Sequence, residues 1–274
     1  MKLPLVTIPP LARPAAAPLD APFVRYNAHS ASPIVLVCDH ASAAIPPEYD
    51  RLGLADADLA RHIALDIGAA RLTEALAGRL DTGAVMAAFS RLLIDPNRGL
   101  NEPTLIPERS DGTVIPGNLE LSDGERATRI AKFHECYHQA VAQAMAKGQE
   151  SGQVPAFIGI HSFTPSMAGG ELRPWEIALL WNRDDRLARY MAGWLRERTD
   201  FTVGENEPYS GAIAGYSMDR HGGAHGRPNV VIEIRQDLVA DTAGVRDWTE
   251  LLARMIEDME AALSPFAEMP ISHP

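Results

Sequence analysis

Short apolar runs with the composition of β-strands alternate along this chain with stretches of helical spacing, and that alternation limits the fold more than any other feature. The runs cover residues 34–38, 84–89, 92–95, 156–161, 177–181 and 230–234, and apolar residues recur at three and four over 58–80, 122–147, 185–198 and 247–263. Strand and helix in repeated succession predict an α/β fold of three layers, a mixed, mostly parallel sheet with helices on both faces. Ser122-Asp123-Gly124-Glu125 reads as a capping box, its hydroxyl and carboxylate placed to satisfy the first free amides of a helix. Two irregular stretches, 96–121 and the glycine-rich 206–228, interrupt the alternation; loops of that length inside a compact domain commonly carry function.

With 274 residues, 46% hydrophobic and 22% charged, the chain has ordinary globular composition, and a single domain is expected over 26–274. Residues 1–25 are broken by prolines and never develop a continuous apolar core, so they read as a surface tail rather than a signal peptide. A formal charge of −11 argues against nucleic acid as a partner, because phosphate binding needs a basic face. No apolar run approaches the roughly 18 residues of a membrane span, which predicts a soluble protein with no membrane partner. Cys38 and Cys136 show no framework spacing and predict unpaired thiols in a reducing cytoplasm. The sequence leaves the oligomeric state open, a monomer being compatible with it.

Four of the apolar runs end in ionisable residues. VLVCDH supplies Asp39 and His40, FIGIHS supplies His161, VVIEIRQD supplies Glu233 and Arg235, and LLIDPNR supplies Asp95, Asn97 and Arg98. Ligands of open α/β sheets bind outside the carboxyl ends of the strands, so these groups are expected to converge in one crevice. Two histidines, a carboxylate and a nearby free glutamate are what a hydrolytic zinc site needs: nitrogen and oxygen ligands, an open position for water, and a base to deprotonate it. His40 and His161 are the candidate imidazoles, and Glu233 and Arg235, two apart on a strand, would share one face.

A competing pattern is His134-Glu135-Cys136-Tyr137-His138, which matches the H-E-x-x-H motif of metallopeptidases and sits in a helical stretch. The apolar stripe Ile130, Phe133, Tyr137 and Val141 places His134 within the packing face and His138 at its edge, which favours a supporting role. Arg91 falls at a strand end as a substrate clamp or ion-pair partner. Asp66 lies between Leu65 and Ile67, where burial would demand a cation or a metal. His62, one turn upstream, and His221 and His225 in a glycine-rich loop are weaker candidates.

Taken in order, CDHASAAIP, HIALDIGAA, FSRLLIDPNR, IPGN, HSFTP, NEPYSG and VIEIRQDL resemble the N-formylglutamate amidohydrolase family from Ile34 to about Met259. The resemblance implies a phosphorylase/hydrolase-like fold related to the zinc carboxypeptidases, a zinc cofactor, and hydrolysis of a small anionic N-acyl amino acid such as N-formylglutamate, in amino-acid metabolism of the histidine-degradation type. It implies His40 and His161 as metal ligands, Glu233 as general base and Asn97 with Arg98 as the grip on a substrate carboxylate. Arg91 would assist at the oxyanion, and Arg235 and Ser162 would contact substrate. One departure stands out. Relatives carry a glutamate ligand three or four residues after the first histidine, whereas here those positions are Ala43 and Ala44. Asp66 is the expected replacement as third ligand, with Asp39 as the alternative. An H-E-x-x-H metallopeptidase and a non-catalytic ligand-binding relative are the competing functional readings.

Overall fold

In the computed structural model, residues 21–150 and 152–263 are described. Their strands, in chain order, are β1 (Phe23–Tyr26), β2 (Ile34–Cys38), β3 (Gly83–Ala87), a small hairpin of β4 (Arg109–Ser110) and β5 (Thr113–Val114), β6 (Ala156–Phe163), β7 (Ile177–Leu180), β8 (Val203–Glu205) and β9 (Asn229–Arg235). The helices are α1 (Asp56–Leu59), α2 (Ala69–Leu80), α3 (Asp123–Arg129), α4 (Cys136–Gln149), α5 (Arg186–Arg198), α6 (Gly211–Ala214), α7 (Tyr216–His221) and α8 (Thr242–Leu263).

Seven strands form one sheet in the order β1-β3-β2-β6-β9-β7-β8. Its centre, β3-β2-β6-β9, is parallel, while β1 and β7 run antiparallel to β3 and β9, so the sheet is mixed and mostly parallel as expected. Alternation along each strand divides the core in two. Leu36, Ile158, Ile160 and Ile232 face α2, α5 and α8 through Leu72, Leu76, Met191, Leu252 and Ile256. On the opposite face Val37, Phe157 and Val231 pack with Phe133, Tyr137 and Val141 from the α3–α4 region. The chain turns from β2 toward β3 on one side, and β6 lies on the other. The carboxyl ends of β2 and β6 therefore flank the kind of crevice in which open sheets bind ligands.

Three elements depart from the sequence expectation. Residues 92–95 form a turn rather than a strand, closed by Leu93 N–H donating to the Ser90 carbonyl (3.0 Å) and by Asp95 N–H donating to that of Leu105 (2.7 Å). Leu92, Leu93 and Ile94 are nonetheless fully buried, because a short apolar run marks burial without specifying conformation. The helix expected over 58–80 begins only at Ala69. Gly68 has φ +84°, and a Cβ there would lie 2.2 Å from the Val239 carbonyl oxygen, so the chain turns at Gly68 before α2 can start. The helix over 122–147 is continuous from α3 to α4 but passes through a wider π-helical turn at Ile130–Glu135. Ser122 caps α3 as expected, its hydroxyl accepting from the Glu125 amide (3.2 Å).

Phe23–Tyr26, at the end of the stretch expected as a tail, pairs with β3 as an edge strand. Residues 1–20, the rest of that expectation, lie outside the described residues.

Candidate active site

The sheet carries its chemistry where β2, β6 and β9 end. Asp39 and His40 follow β2 directly, His161 is the sixth residue of β6, and Glu233 is its register partner on β9. Phe157 packs on the α4 face, so His161, an even number of residues further on, projects to that same face, as does Glu233 beyond Val231. Asp66 arrives from the loop before α2, held by its amide donating to the His40 carbonyl (2.9 Å). The delayed start of α2 is what leaves this segment free to reach the crevice.

Two imidazoles converge on one carboxylate oxygen. Nδ1 of His161 lies 2.8 Å and Nδ1 of His40 3.3 Å from Oδ2 of Asp66, and all three residues are buried. One ligand atom from each falls within 4.8 Å of the others, making this the only such group of histidine, cysteine or carboxylate side chains among the described residues. The far nitrogens are spoken for. Nε2 of His40 donates to Oδ1 of Asp95 (2.8 Å), and Nε2 of His161 donates to Oδ2 of Asp39 (3.1 Å).

That arrangement tests the fit to a metal. With each Nε2 proton committed to a carboxylate, a neutral imidazole presents a lone pair at Nδ1, facing the lone pairs of Asp66. A positive centre must lie between them, either protons or a metal ion. The proton version leaves its mark on pKa: burial opposes charge on His161, but its bonds to Asp39 and Asp66 outweigh burial and hold its pKa well above the ordinary histidine value. Burial likewise works to raise Asp66, and the two imidazoles overcome it and hold the carboxyl far below its usual range. Two imidazole nitrogens and a carboxylate oxygen are donors that suit a divalent metal ion such as zinc, and a carboxylate behind each histidine is the usual outer-shell support.

Supporting contacts tie the site to both flanking layers. Oδ1 of Asp39 accepts from the Tyr137 hydroxyl of α4 (2.8 Å) and the Ser217 hydroxyl of α7 (2.7 Å). Desolvation would raise Asp39, yet its bond to His161 and the neighbouring imidazoles bring it down to about 2. Arg91 bridges the other side, donating to Oδ2 of Asp95 (2.8 Å) and to Oδ1 of Asp66 (3.4 Å). Glu233 differs from all of these. Its Oε2 is buried without a hydrogen-bond partner, and desolvation pushes its pKa up to about 7 despite the nearby His161, His40 and Arg91.

The sequence profile of the N-formylglutamate amidohydrolase family matches residues 32–240. The chain belongs to that family. A crystal structure of a gene product of Agrobacterium tumefaciens is 33% identical and superposes with a TM-score of 0.85, covering 89% of this chain and 96% of its own. The N-formylglutamate amidohydrolase of Ralstonia eutropha JMP134 shares the fold at 23% identity and a TM-score of 0.64, over 88% of this chain and 99% of the other. Among curated proteins none matches in sequence.

Other residues singled out in this N-formylglutamate amidohydrolase family member are disposed as follows. Asp39 stands behind His161 instead of joining the Asp66 group. The Asn97 side chain is spent on backbone, donating to the Ala214 carbonyl (2.7 Å) and accepting from the Ser217 amide (3.0 Å), so it pins the α6–α7 segment. Arg98 donates to the neighbouring Asn97 carbonyl (2.8 Å) and lies 3.8 Å from Glu102. Arg235 is paired with Asp237 (2.9 Å) and Glu176 (3.7 Å). Ser162 bonds the Ile67 carbonyl (2.8 Å), steadying the segment that carries Asp66.

The H-E-x-x-H histidines do not meet at a common point. Nε2 of His134 bonds the Arg98 carbonyl (3.0 Å) and Nε2 of His138 the Pro96 carbonyl (2.9 Å), while Nδ1 of His138 contacts Nε2 of His221 (2.9 Å). Glu135 is clamped by Arg220 (2.9 Å). This helix buttresses the Pro96–Arg98 turn from behind. Asp95 is marked in the sequence at the end of an apolar run, but its pairing with His40 is not, and neither are Tyr137 and Ser217 as partners of Asp39; only tertiary folding joins them.

Proposed function

We propose that this protein is a metal-dependent amidohydrolase that removes a formyl or another small acyl group from the nitrogen of an acidic amino acid such as N-formylglutamate. The observation that carries the reading is a buried, partnerless glutamate beside a histidine–aspartate–histidine group whose nitrogens face one oxygen. A zinc ion held by His40, Asp66 and His161 would supply a Lewis acid that polarises the acyl carbonyl and acidifies water.

The chain's own groups do the rest. Oε2 of Glu233 takes the proton of the attacking water and returns it to the departing amine nitrogen. A pKa of about 7 suits both halves of that transfer at neutral pH. Arg91, fixed between Asp66 and Asp95, keeps a positive charge beside the place where the acyl oxygen becomes negative. Arg98 retains unused donors and partial exposure, and would take the α-carboxylate of the substrate. The unpaired thiols of Cys38 and Cys136 favour a reducing compartment such as the cytoplasm.

Zinc-loaded protein incubated with N-formylglutamate should release formate. Release from another N-acyl amino acid but not from this one would keep the reaction class and discard the substrate. Hydrolysis of neither would discard both.

A further inference from the structure

An acidic N-acyl amino acid brings two carboxylates to a protein whose formal charge is −11, so two cationic anchors are needed and Arg98 supplies one. Near the strand ends most arginines are neutralised by acids: Arg91 by Asp66 and Asp95, Arg220 by Glu135, and Arg235 by Asp237 and Glu176.

Arg173 is different. It lies in the segment after β6, and its amide donates to the Pro165 carbonyl (2.8 Å), which brings the chain back to the strand end. Its guanidinium sits 5.9 Å from the ring of Phe163, two residues beyond His161 on the same face and about 7 Å further along the strand. It also lies 5.0 Å from the ring of Tyr209. Both of its hydrogen bonds leave from a single nitrogen: Nη1 donates to the Tyr209 hydroxyl (2.9 Å) and to the Thr164 carbonyl (3.2 Å). Among the described residues no carboxylate pairs with it, and Nε and Nη2 have no partner. Those two nitrogens form the edge that binds a carboxylate in bidentate fashion, and the aromatic faces fix the plane of the fork before any ligand arrives.

We infer that Arg173 is the anchor for the side-chain carboxylate of the substrate, and that it makes the site select acidic over neutral N-acyl amino acids. The inference rests on the proposed amidohydrolase reading, with Arg98 holding the α-carboxylate.

The test compares N-formylglutamate with N-formylglutamine, which differ only at the group that Arg173 would meet, in wild type, Arg173→Gln and Arg173→Lys, all zinc-loaded. Arg173→Gln should raise KM for N-formylglutamate about ten- to a hundredfold, the loss of a charge-assisted contact. It should leave kcat within a few-fold and leave both constants for N-formylglutamine nearly unchanged. Arg173→Lys should recover part of the loss, because it keeps the charge without the fork. Calorimetric binding of L-glutamate against L-glutamine should lose its preference in Arg173→Gln, a readout that needs no turnover. If Arg173→Gln keeps the wild-type ratio of the two substrates, or loses both equally, Arg173 is not the side-chain anchor although the amidohydrolase reading stands. If wild type hydrolyses neither substrate, that reading fails and this inference with it.

Discussion

Replacing Glu233 by glutamine separates the chemistry of this site from its stability. In the folded protein the carboxyl titrates at about 7 instead of its ordinary 4.5, because it is buried with Oε2 unpartnered. Each pH unit between folded and unfolded pKa is worth about 1.4 kcal/mol, so the ionised carboxylate costs the fold about 3 kcal/mol above pH 7. The sign follows from the raised pKa. Below about pH 4 the group is protonated in both states and costs nothing; between pH 4.5 and 7 the unfolded state ionises first, and wild type loses stability as pH rises. Glutamine cannot ionise. Urea denaturation of chelator-treated protein at a series of pH values should therefore show Glu233→Gln gaining on wild type by about 3 kcal/mol from pH 4 to pH 8, then levelling off. Any constant cost of burying the amide cancels in that slope. The same variant, zinc-loaded, should lose on the order of a hundredfold to several thousandfold in formate release. A stability difference that does not change with pH would refute the picture of a desolvated, partnerless carboxyl, and full activity would refute its role as base.

Three further outcomes follow from the same geometry. Asp95→Asn removes the charged acceptor behind His40 and should weaken zinc binding ten- to a hundredfold, measured by competition with a chromophoric chelator, with Asp66→Ala weaker still. Free zinc at about a hundred times its dissociation constant should stabilise wild type by about 2.7 kcal/mol in denaturation, and the gain should vanish in Asp66→Ala. Leu179→Ala, in the fully buried layer facing α2, α5 and α8, should cost about 2–5 kcal/mol in urea denaturation while leaving zinc affinity unchanged.

The centre of the sheet was legible because β2, β6 and β9 are continuous apolar runs buried on both faces. The edges were not: Phe23–Tyr26 has four residues with one arginine among them, and Val203–Glu205 has three, both too short to show a period. The 92–95 run misled because its three apolar side chains are as buried in a turn as they would be in a strand. At the site, position was readable where an ionisable residue ends an apolar run, as at His40, His161 and Glu233. Asp66 was readable from the expense of an acid between Leu65 and Ile67. What each side chain touches was not readable. Asn97 and Arg98 sit in the motif of a substrate grip, yet the Asn97 amide is consumed by α6–α7 backbone, a fact that depends on a segment more than a hundred residues away.

Asp39 and His40 are joined by one peptide bond, yet Asp39 backs His161 while His40 faces the same oxygen of Asp66 as His161 does. Contacts and covalent chain together close a ring: Asp39 to His161, His161 to Asp66, Asp66 to His40, and back through the backbone to Asp39. A ring of this kind has no independently adjustable member. Deleting one residue from β2 would draw His40 back to the place of Asp39 and bring Ala41 to that of His40, removing an imidazole from the group and the brace of His161 in a single event. Anyone transplanting this centre into another scaffold would have to move the whole circuit, since grafting His40, Asp66 and His161 alone leaves its closure behind.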